Sequence, residues 1–353
     1  MRRLRRLPIL AAIVMLAACN DTTGPTGRVI GGVDFDVLFA PATSAEMAAV
    51  EADWASRQTD PVDVAVLLDS VFDVGTTLTR LLVVSHDVDG VLHVGAILAA
   101  DGLTQPAPTL VYSHGGDAGV SVDDVVSLLP FLGDVASEFV WVIPSFRSER
   151  LTFGDSTWVS EGPPSPWDRD VDDALSLTEA AFDLVAAADS TRVGVLGFSR
   201  GAGVGLLMAA RDERIDRVIE FFGPTDFFGP FVQDVAEEAL LGTPRDLPGL
   251  AFLDEQYLQP LARGEVSIAS VRSQLIRRSA ALFASRLPMV QLHHGTADAV
   301  VDVSQGQALI DAMSALGRGE PDFEAYLYEG GTHNPLTLAG SITRARAFLE
   351  ALR

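Results

Sequence analysis

The chain has 353 residues, of which 48% are hydrophobic and 21% are charged. This composition excludes a disordered or fibrous protein and fits one large globular domain or two small ones. Its 48 acidic residues outnumber its 25 basic residues, all of them arginine, and the formal net charge of −23 argues against nucleic-acid binding through phosphate neutralisation. The single cysteine excludes an internal disulfide.

Residues 1–18 have the pattern of a secretory signal peptide. Four arginines within the first six residues precede an uncharged stretch from Leu7 to Ala18. That stretch is too short for a membrane-spanning helix, which needs about 20 residues. The ending Leu16-Ala17-Ala18-Cys19 resembles the lipobox of bacterial lipoproteins, in which the cysteine is lipidated and becomes the first residue of the mature chain. The alternative is an ordinary signal peptide followed by an unrelated cysteine.

The lipobox resemblance implies where the mature protein resides. A lipid on Cys19 would anchor the chain to a membrane of the bacterial cell envelope, as a periplasmic or outer-membrane lipoprotein. Residues 19–33, rich in Thr and Gly, are predicted to form a polar tether between the anchor and the folded part of the chain.

The folded part is predicted to consist of an extension and a main domain. The extension covers residues 34–76 and contains a helix near Ser44 to Arg57. The main domain covers residues 77–353 and begins with a hairpin whose strands run from Leu78 to Ser85 and from Val91 to Ala99.

The dipeptide Asp89-Gly90 is favoured in the two-residue turn of such a hairpin. The turn places His86 opposite His93 on the two strands. An opposed histidine pair can bind a metal ion, but no third ligand is evident, so we expect no metal here.

Six short apolar runs follow and are typical of strands buried in a parallel sheet. They are Thr109 to Ser113, Phe139 to Ile143, Arg192 to Gly197, Arg217 to Phe222, Met289 to His293 and Glu324 to Tyr328. Helical patterns lie between them, one starting near Asp168. We therefore expect an α/β fold with eight strands in a mostly parallel sheet and helices on both faces.

Two connections are longer than a strand crossover needs. Residues 144–168 contain several Pro and Trp residues with little periodicity, which predicts a long structured loop. Residues 224–288 contain two or three helical patterns and are predicted to form a helical cap. Both follow the carboxyl ends of strands, where open α/β sheets place their ligand sites.

The strongest motif is Gly197-Phe198-Ser199-Arg200-Gly201, which follows a predicted strand and precedes a helix rich in small residues. It matches the G-x-S-x-G nucleophile elbow, a sharp strand-to-helix turn that exposes the serine hydroxyl. Large side chains two positions to either side would collide in such a turn. Ser199 is therefore the candidate nucleophile.

Glycines follow an upstream strand in the segment His114-Gly115-Gly116. Acyl transfer places negative charge on a carbonyl oxygen, so two backbone N–H groups must point at it in advance. We expect one from Arg200 and the other from Gly115 or Gly116. The Arg200 side chain could attract a substrate carboxylate or form a buried ion pair, and the sequence leaves both open.

A candidate acid and base follow the last two predicted strands. Asp298 comes after one and His333 after the other, so the order is Ser199, Asp298, His333. His333 would take the serine proton, and Asp298 would hold the imidazole in the correct tautomer. Asp302 and Asp226 are competing acids, and Asp298 is preferred because its strand comes directly before that of His333.

From about residue 108 onward, the chain resembles the catalytic domain of the prolyl oligopeptidase family and its dienelactone-hydrolase-like relatives. Besides the motifs above, the resemblance rests on Ile143 to Arg147 with Gly154, and on the helix start from Asp170 to Asp173. The chain departs from the family at Arg200, where an aromatic residue is common, and at Ser148, where glycine is common. The resemblance implies an α/β-hydrolase fold.

The residues preceding the sheet are too few to build the β-propeller that gates the peptidases, which favours an esterase. We expect a serine hydrolase that cleaves carboxylic esters of a small molecule through an acyl-enzyme and needs no cofactor. One alternative is a serine exopeptidase or aminoacyl hydrolase acting on a short peptide, with acids in the cap, such as Asp234, Glu237 and Glu238, binding a substrate amine. Another is a catalytically inactive hydrolase fold that binds a partner.

Overall fold

The computed structural model describes residues 27–353. The predicted signal peptide and Cys19 lie outside the described residues, so the lipid anchor stays a prediction. No helix in the described part of the chain is long and apolar enough to cross a membrane.

A mixed sheet of nine strands forms the centre of the molecule. In chain order the strands are β1 (Val62–Val74), β2 (Thr77–Val88), β3 (Val91–Ala100), β4 (Ala107–Ser113), β5 (Val140–Pro144), β6 (Ala188–Phe198), β7 (Ile215–Phe221), β8 (Met289–Gly295) and β9 (Phe323–Tyr328). Their order across the sheet is β9-β8-β7-β6-β4-β5-β3-β2-β1. Strands β4 to β9 pair in parallel, whereas β1, β2 and β3 pair in an antiparallel manner, β3 also with β5.

The predicted fold class is confirmed, but the predicted count of eight strands is one too few. The extra strand, β1, lies within the predicted extension and pairs with β2 at the edge of the sheet. Its first six residues are all exposed, and they include Val62, Val64 and Val66. The strand contains the apolar run Val64 to Leu68, but this segment was assigned from the sequence to the extension and not to the sheet.

Helices cover both faces of the sheet. They are α1 (Ser44–Ala55), α2 (Val122–Leu128), α3 (Arg169–Leu184), α4 (Arg200–Arg211), α5 (Pro230–Leu240), α6 (Ile268–Ile276), α7 (Ser304–Ala315) and α8 (Ser341–Glu350). Alternate strand residues enter two separate cores. Val111 packs with the face covered by α3 and α4, and Leu110 with the face covered by α2 and α8.

Short elements complete the described chain. They are a two-residue hairpin (Val29–Ile30 and Val33–Asp34), helical turns at Phe35–Leu38, Leu129–Leu132, Val135–Glu138, Leu250–Leu253, Asp254–Leu258, Gln259–Ala262, Ala280–Arg286 and Pro335–Thr337, and a small sheet of Val120–Ser121, Arg150–Phe153 and Ser156–Val159.

The two long connections differ in how closely they follow the predictions. The predicted loop 144–168 contains a hairpin, because Arg150–Phe153 pairs with Ser156–Val159 and with Val120–Ser121. The predicted cap 224–288 is helical and contains α5 and α6. Its residues Phe227, Phe231 and Val232 line the cleft at Ser199, so the cap lies over the carboxyl ends of the strands.

Candidate active site

Ser199 occupies a sharp turn between β6 and α4. Its backbone angles are φ 52° and ψ −122°, a positive φ that a non-glycine residue rarely adopts. The flanking glycines permit this turn. A Cβ on Gly197 would lie 2.5 Å from the Gly201 carbonyl oxygen, and one on Gly201 would lie 2.0 Å from the Ser113 carbonyl oxygen. The G-x-S-x-G spacing therefore reflects close backbone packing around a strained serine.

The half-buried Ser199 opens onto a narrow cleft of about 30 Å³. Trp167 and Phe227, whose rings pack edge to face, line this cleft together with Val301. The walls of this cleft are mostly apolar.

Asp298 and His333 form a hydrogen-bonded pair after β8 and β9. The imidazole Nδ1 lies 2.7 Å from Asp298 Oδ2. The other carboxylate oxygen accepts the backbone N–H groups of Val300 at 2.8 Å and Val301 at 3.0 Å. Burial alone would raise the pKa of Asp298, but its hydrogen bonds with His333, Val300 and Val301 hold that pKa below its ordinary value. The carboxylate is thus charged and fixed in position.

The two competing acids have other hydrogen-bond partners. Asp302 accepts the N–H of Ser304 at the start of α7, and Asp226 accepts the N–H of Phe228 within its own turn. Within residues 27–353, Asp298 is the carboxylate that hydrogen-bonds His333. The hydrogen bonds therefore distinguish Asp298 from the other two acids, which sequence order alone could only rank.

Ser199 and His333 each contact a residue at the end of β7. The Ser199 N–H donates to the Phe221 carbonyl oxygen at 2.9 Å. The next residue, Phe222, packs its ring 4.3 Å from the His333 ring, measured between centroids. Since Nδ1 of His333 is engaged by Asp298, Nε2 is the nitrogen left for a proton acceptor role. No direct hydrogen bond joins Ser199 and His333 in the described part of the chain.

The glycine loop after β4 lies directly against Ser199. A Cβ on Gly115 would approach the Ser199 Cβ to 3.0 Å, so only glycine fits without displacement. Gly116 has a φ of 76°. Arg200 begins α4, so its N–H has no acceptor within the helix. Gly115 thus lies against the serine, and Arg200 directly follows it at the start of α4, while their role as oxyanion donors stays a prediction.

The Arg200 side chain forms a buried ion pair, the second of the two roles left open by the sequence. Its guanidinium donates to both carboxylate oxygens of Asp170 at 2.8 and 2.9 Å and to Glu149 at 2.5 Å. It also donates to the Gly116 carbonyl oxygen at 3.1 Å. Only 2% of Arg200 is exposed. Its charge is therefore balanced by these two carboxylates, and its hydrogen bond to Gly116 holds the glycine loop.

Sequence reasoning missed Glu149, which extends this network behind the loop. Burial raises the pKa of Glu149 to about 7, against the opposing effect of Arg200. Its free carboxylate oxygen lies 3.5 Å from Nε2 of His114, whose ring stacks on Phe146. No local motif marks Glu149, because its partners are far away in the sequence.

The other histidines have structural surroundings. His86 and His93 are opposed in the β2–β3 hairpin as predicted, and His93 Nε2 lies 3.2 Å from a carboxylate oxygen of Asp173. His293 hydrogen-bonds Tyr328 and Gln291. Across residues 27–353, no group of three or more His, Cys, Asp or Glu residues is arranged to hold a metal ion.

Comparisons with known proteins give a structural likeness only. No family model matches the chain, and no curated protein matches it in sequence. Acetyl xylan esterase 1 from Thermoanaerobacterium sp. JW/SL YS485 is similar in structure, with a TM-score of 0.62, 18% identity, and coverage of 88% of this chain and 95% of that one. Acetyl xylan esterase from Paenibacillus sp. R4 has a TM-score of 0.54 and 18% identity, with coverage of 92% of this chain and 95% of that one.

A peptidase structure is also similar. The Pyrococcus horikoshii acylaminoacyl peptidase has a TM-score of 0.49 and 14% identity, and the match covers 81% of this chain and 48% of that one. The two esterase structures are similar to this chain over most of their length, which supports a shared fold. This chain has the α/β-hydrolase fold.

Proposed function

We propose that this protein is a serine hydrolase that cleaves carboxylic esters. Ser199 is the nucleophile, His333 the general base and acid, and Asp298 the residue that orients the imidazole. One observation carries the proposal. A serine held at positive φ on a strand-to-helix turn lies at the same sheet edge as a hydrogen-bonded Asp–His pair.

The chemistry follows from these positions. His333 Nε2 takes the Ser199 proton as Oγ attacks the ester carbonyl, forming a tetrahedral intermediate. The N–H groups of Arg200 and of Gly115 or Gly116 stabilise the oxyanion. The imidazolium, stabilised by ionised Asp298, then protonates the departing alkoxide. Water attacks the acyl-enzyme by the same route, releasing the acid and regenerating Ser199.

Two observations favour an ester over a peptide substrate. Two of the acids considered for binding a substrate amine are already paired, Glu237 with Arg28 and Glu238 with Arg245, and Asp234 is exposed. In addition, the two acetyl xylan esterases are matched over 95% of their own length.

The net charge of the protein also favours some ester substrates over others. With a formal net charge of −23, the surface repels polyanions, so neutral or cationic esters are favoured.

The test is active-site labelling with a fluorophosphonate, followed by peptide mapping and a panel of p-nitrophenyl esters and aminoacyl anilides. We expect the label on Ser199, ester turnover, and loss of both in Ser199→Ala at unchanged folding, with activity lower by at least about 10³-fold. Turnover of anilides rather than esters would favour the exopeptidase. A folded protein without label or turnover would overturn the proposal in favour of the binding-protein alternative.

A further inference from the structure

The cap contains a second, larger cavity besides the cleft at Ser199. Its volume is about 290 Å³, against about 30 Å³ for the cleft. It lies between α5, the turns from Leu250 to Ala262, and α6, with Phe39 of the N-terminal segment closing one side. Its apolar lining includes Phe39, Val235, Ala236, Leu253, Leu258 and Leu275.

The cavity and the cleft share a wall. Val232, on the first turn of α5, lines both spaces. The segment after α5 also borders both, since Pro244 to Asp246 line the cavity and Leu247 and Pro248 line the cleft. The two spaces are therefore adjacent, with Val232 and the segment after α5 between them.

We propose that this cavity binds the distal part of an aliphatic acyl chain whose ester carbonyl lies at Ser199. The proposal rests on the proposed function and adds the substrate class to it, namely esters of medium-chain acids. An apolar cavity of about 150 Å³ is enough to bind benzene. The volume here is about twice that, which corresponds to an acyl chain of roughly 8 to 12 carbon atoms.

Charged residues around the cavity limit which chemical group can occupy the far end of the acyl chain. Asp246, Asp254 and Glu255 border it, while the bordering Arg245 is paired with Glu238. A carboxylate at the far end of the acyl chain would meet uncompensated negative charge. The cavity therefore selects acyl chains with an uncharged end.

The wall of the cavity includes an unusual helical turn. Residues Asp254–Leu258 form a π-helical turn, and both Tyr257 and Leu258 line the cavity. Such turns are rare and are often retained where a binding site requires them. The Tyr257 hydroxyl lies 3.4 Å from the Arg278 guanidinium, which also donates to the Pro166 carbonyl oxygen. The cavity wall is thereby connected to the segment that carries Trp167 of the cleft.

The first experiment measures kcat/KM for p-nitrophenyl esters from acetate to dodecanoate. In the wild-type protein, we expect kcat/KM to rise about fourfold for each methylene that enters the cavity and to level off between about 8 and 12 carbons. A profile that falls steadily from acetate would overturn the proposal.

Two variants change the cavity in opposite directions. Val235→Phe places a ring in it and narrows it, and we expect kcat/KM for the decanoate ester to fall at least tenfold with that for acetate within about twofold. Leu275→Ala enlarges it and should move the preferred chain to longer esters. Leu241→Phe is the matched control, because it adds a ring at the end of the same helix on a residue that is 62% exposed. Equal chain-length profiles in all four proteins would contradict the proposal.

A binding measurement separates this proposal from the proposed function. Isothermal titration calorimetry with decanoate requires no turnover. We expect decanoate to bind the wild type and Leu241→Phe, and to bind Val235→Phe at least tenfold more weakly. If no protein hydrolyses esters but decanoate binding follows the cavity, the proposed function fails and the cavity stands. If esters are hydrolysed but decanoate does not bind the wild type, the cavity proposal fails and the proposed function stands.

Discussion

The two sides of the Ser199 cleft are built in different ways. On the sheet side, close glycine contacts hold Ser199, and backbone hydrogen bonds hold Asp298. On the cap side, apolar side chains surround about 290 Å³ of open space. A close-packed region with polar contacts tolerates little change, whereas an apolar wall can change in volume without moving the reacting groups. In the proposed enzyme, the sheet edge therefore fixes the chemistry and the cap sets the substrate range.

The ion pairs on the two sides of the cleft also differ, in how deeply they are buried. Arg200, Asp170 and Glu149 form a network in which each residue is at most 5% exposed. In the cap, Arg245 pairs with Glu238 with more than a third of each side chain exposed. Removing one member of a buried network leaves an uncompensated charge, whereas water solvates what remains of an exposed pair.

The largest effect is expected from removing the charge that orients His333. Asp298→Asn should lower kcat/KM for the preferred p-nitrophenyl ester by about 10⁴-fold, because an amide can favour the wrong imidazole tautomer. Asp302→Asn is the matched control, since Asp302 accepts the Ser304 N–H, whereas His333 hydrogen-bonds Asp298. A greater loss in Asp302→Asn would show that the acid has been wrongly assigned.

Next in size is the loss of the buried arginine. Arg200→Ala should lower the free energy of unfolding by about 3 to 5 kcal/mol, measured by urea denaturation, because Asp170 is left buried without its partner. The cap variant Arg245→Ala should change it by less than about 1 kcal/mol. Comparable losses in the two variants would mean that the two regions do not differ as described.

A smaller and pH-dependent effect is expected at Glu220 in β7. Its carboxyl accepts the Gly223 N–H at 2.8 Å, yet burial raises its pKa from 4.5 to about 8. Because the folded-state pKa is the higher one, Glu220 favours the folded state most below pH 4.5. This contribution to stability declines as the pH rises from 4.5 toward 8, because Glu220 ionises at a lower pH in the unfolded chain than in the folded one.

Between pH 5 and 7.5, this decline amounts to about 3 kcal/mol. Glu220→Gln should remove that part of the pH dependence of the free energy of unfolding. In the cap, Glu238→Gln should leave the pH dependence over this range unchanged, because hydrogen bonding to Arg245 lowers the pKa of Glu238. A wild-type slope that persists in Glu220→Gln would show that other groups cause it.

The inner strands could be predicted from the sequence because a buried strand has a short apolar run. Strands β2 to β9 each coincide with a predicted run, and the Asp89-Gly90 turn set the register that opposes His86 and His93. The edge strand β1 and the hairpin at Arg150–Val159 were not predicted. Their residues are largely exposed, and the apolar run Val64 to Leu68 of β1 was assigned to the extension and not to the sheet.

For the candidate site, the sequence alone supplied the serine turn, the glycine loop and the order of Ser199, Asp298 and His333. Each depends on local constraints, such as a glycine where no Cβ fits. Only the tertiary structure decided which acid contacts His333, what pairs with Arg200, and where the cap leaves a cavity. Those outcomes depend on contacts between residues far apart in the chain, and a side chain's distant partners leave no trace in its neighbouring sequence.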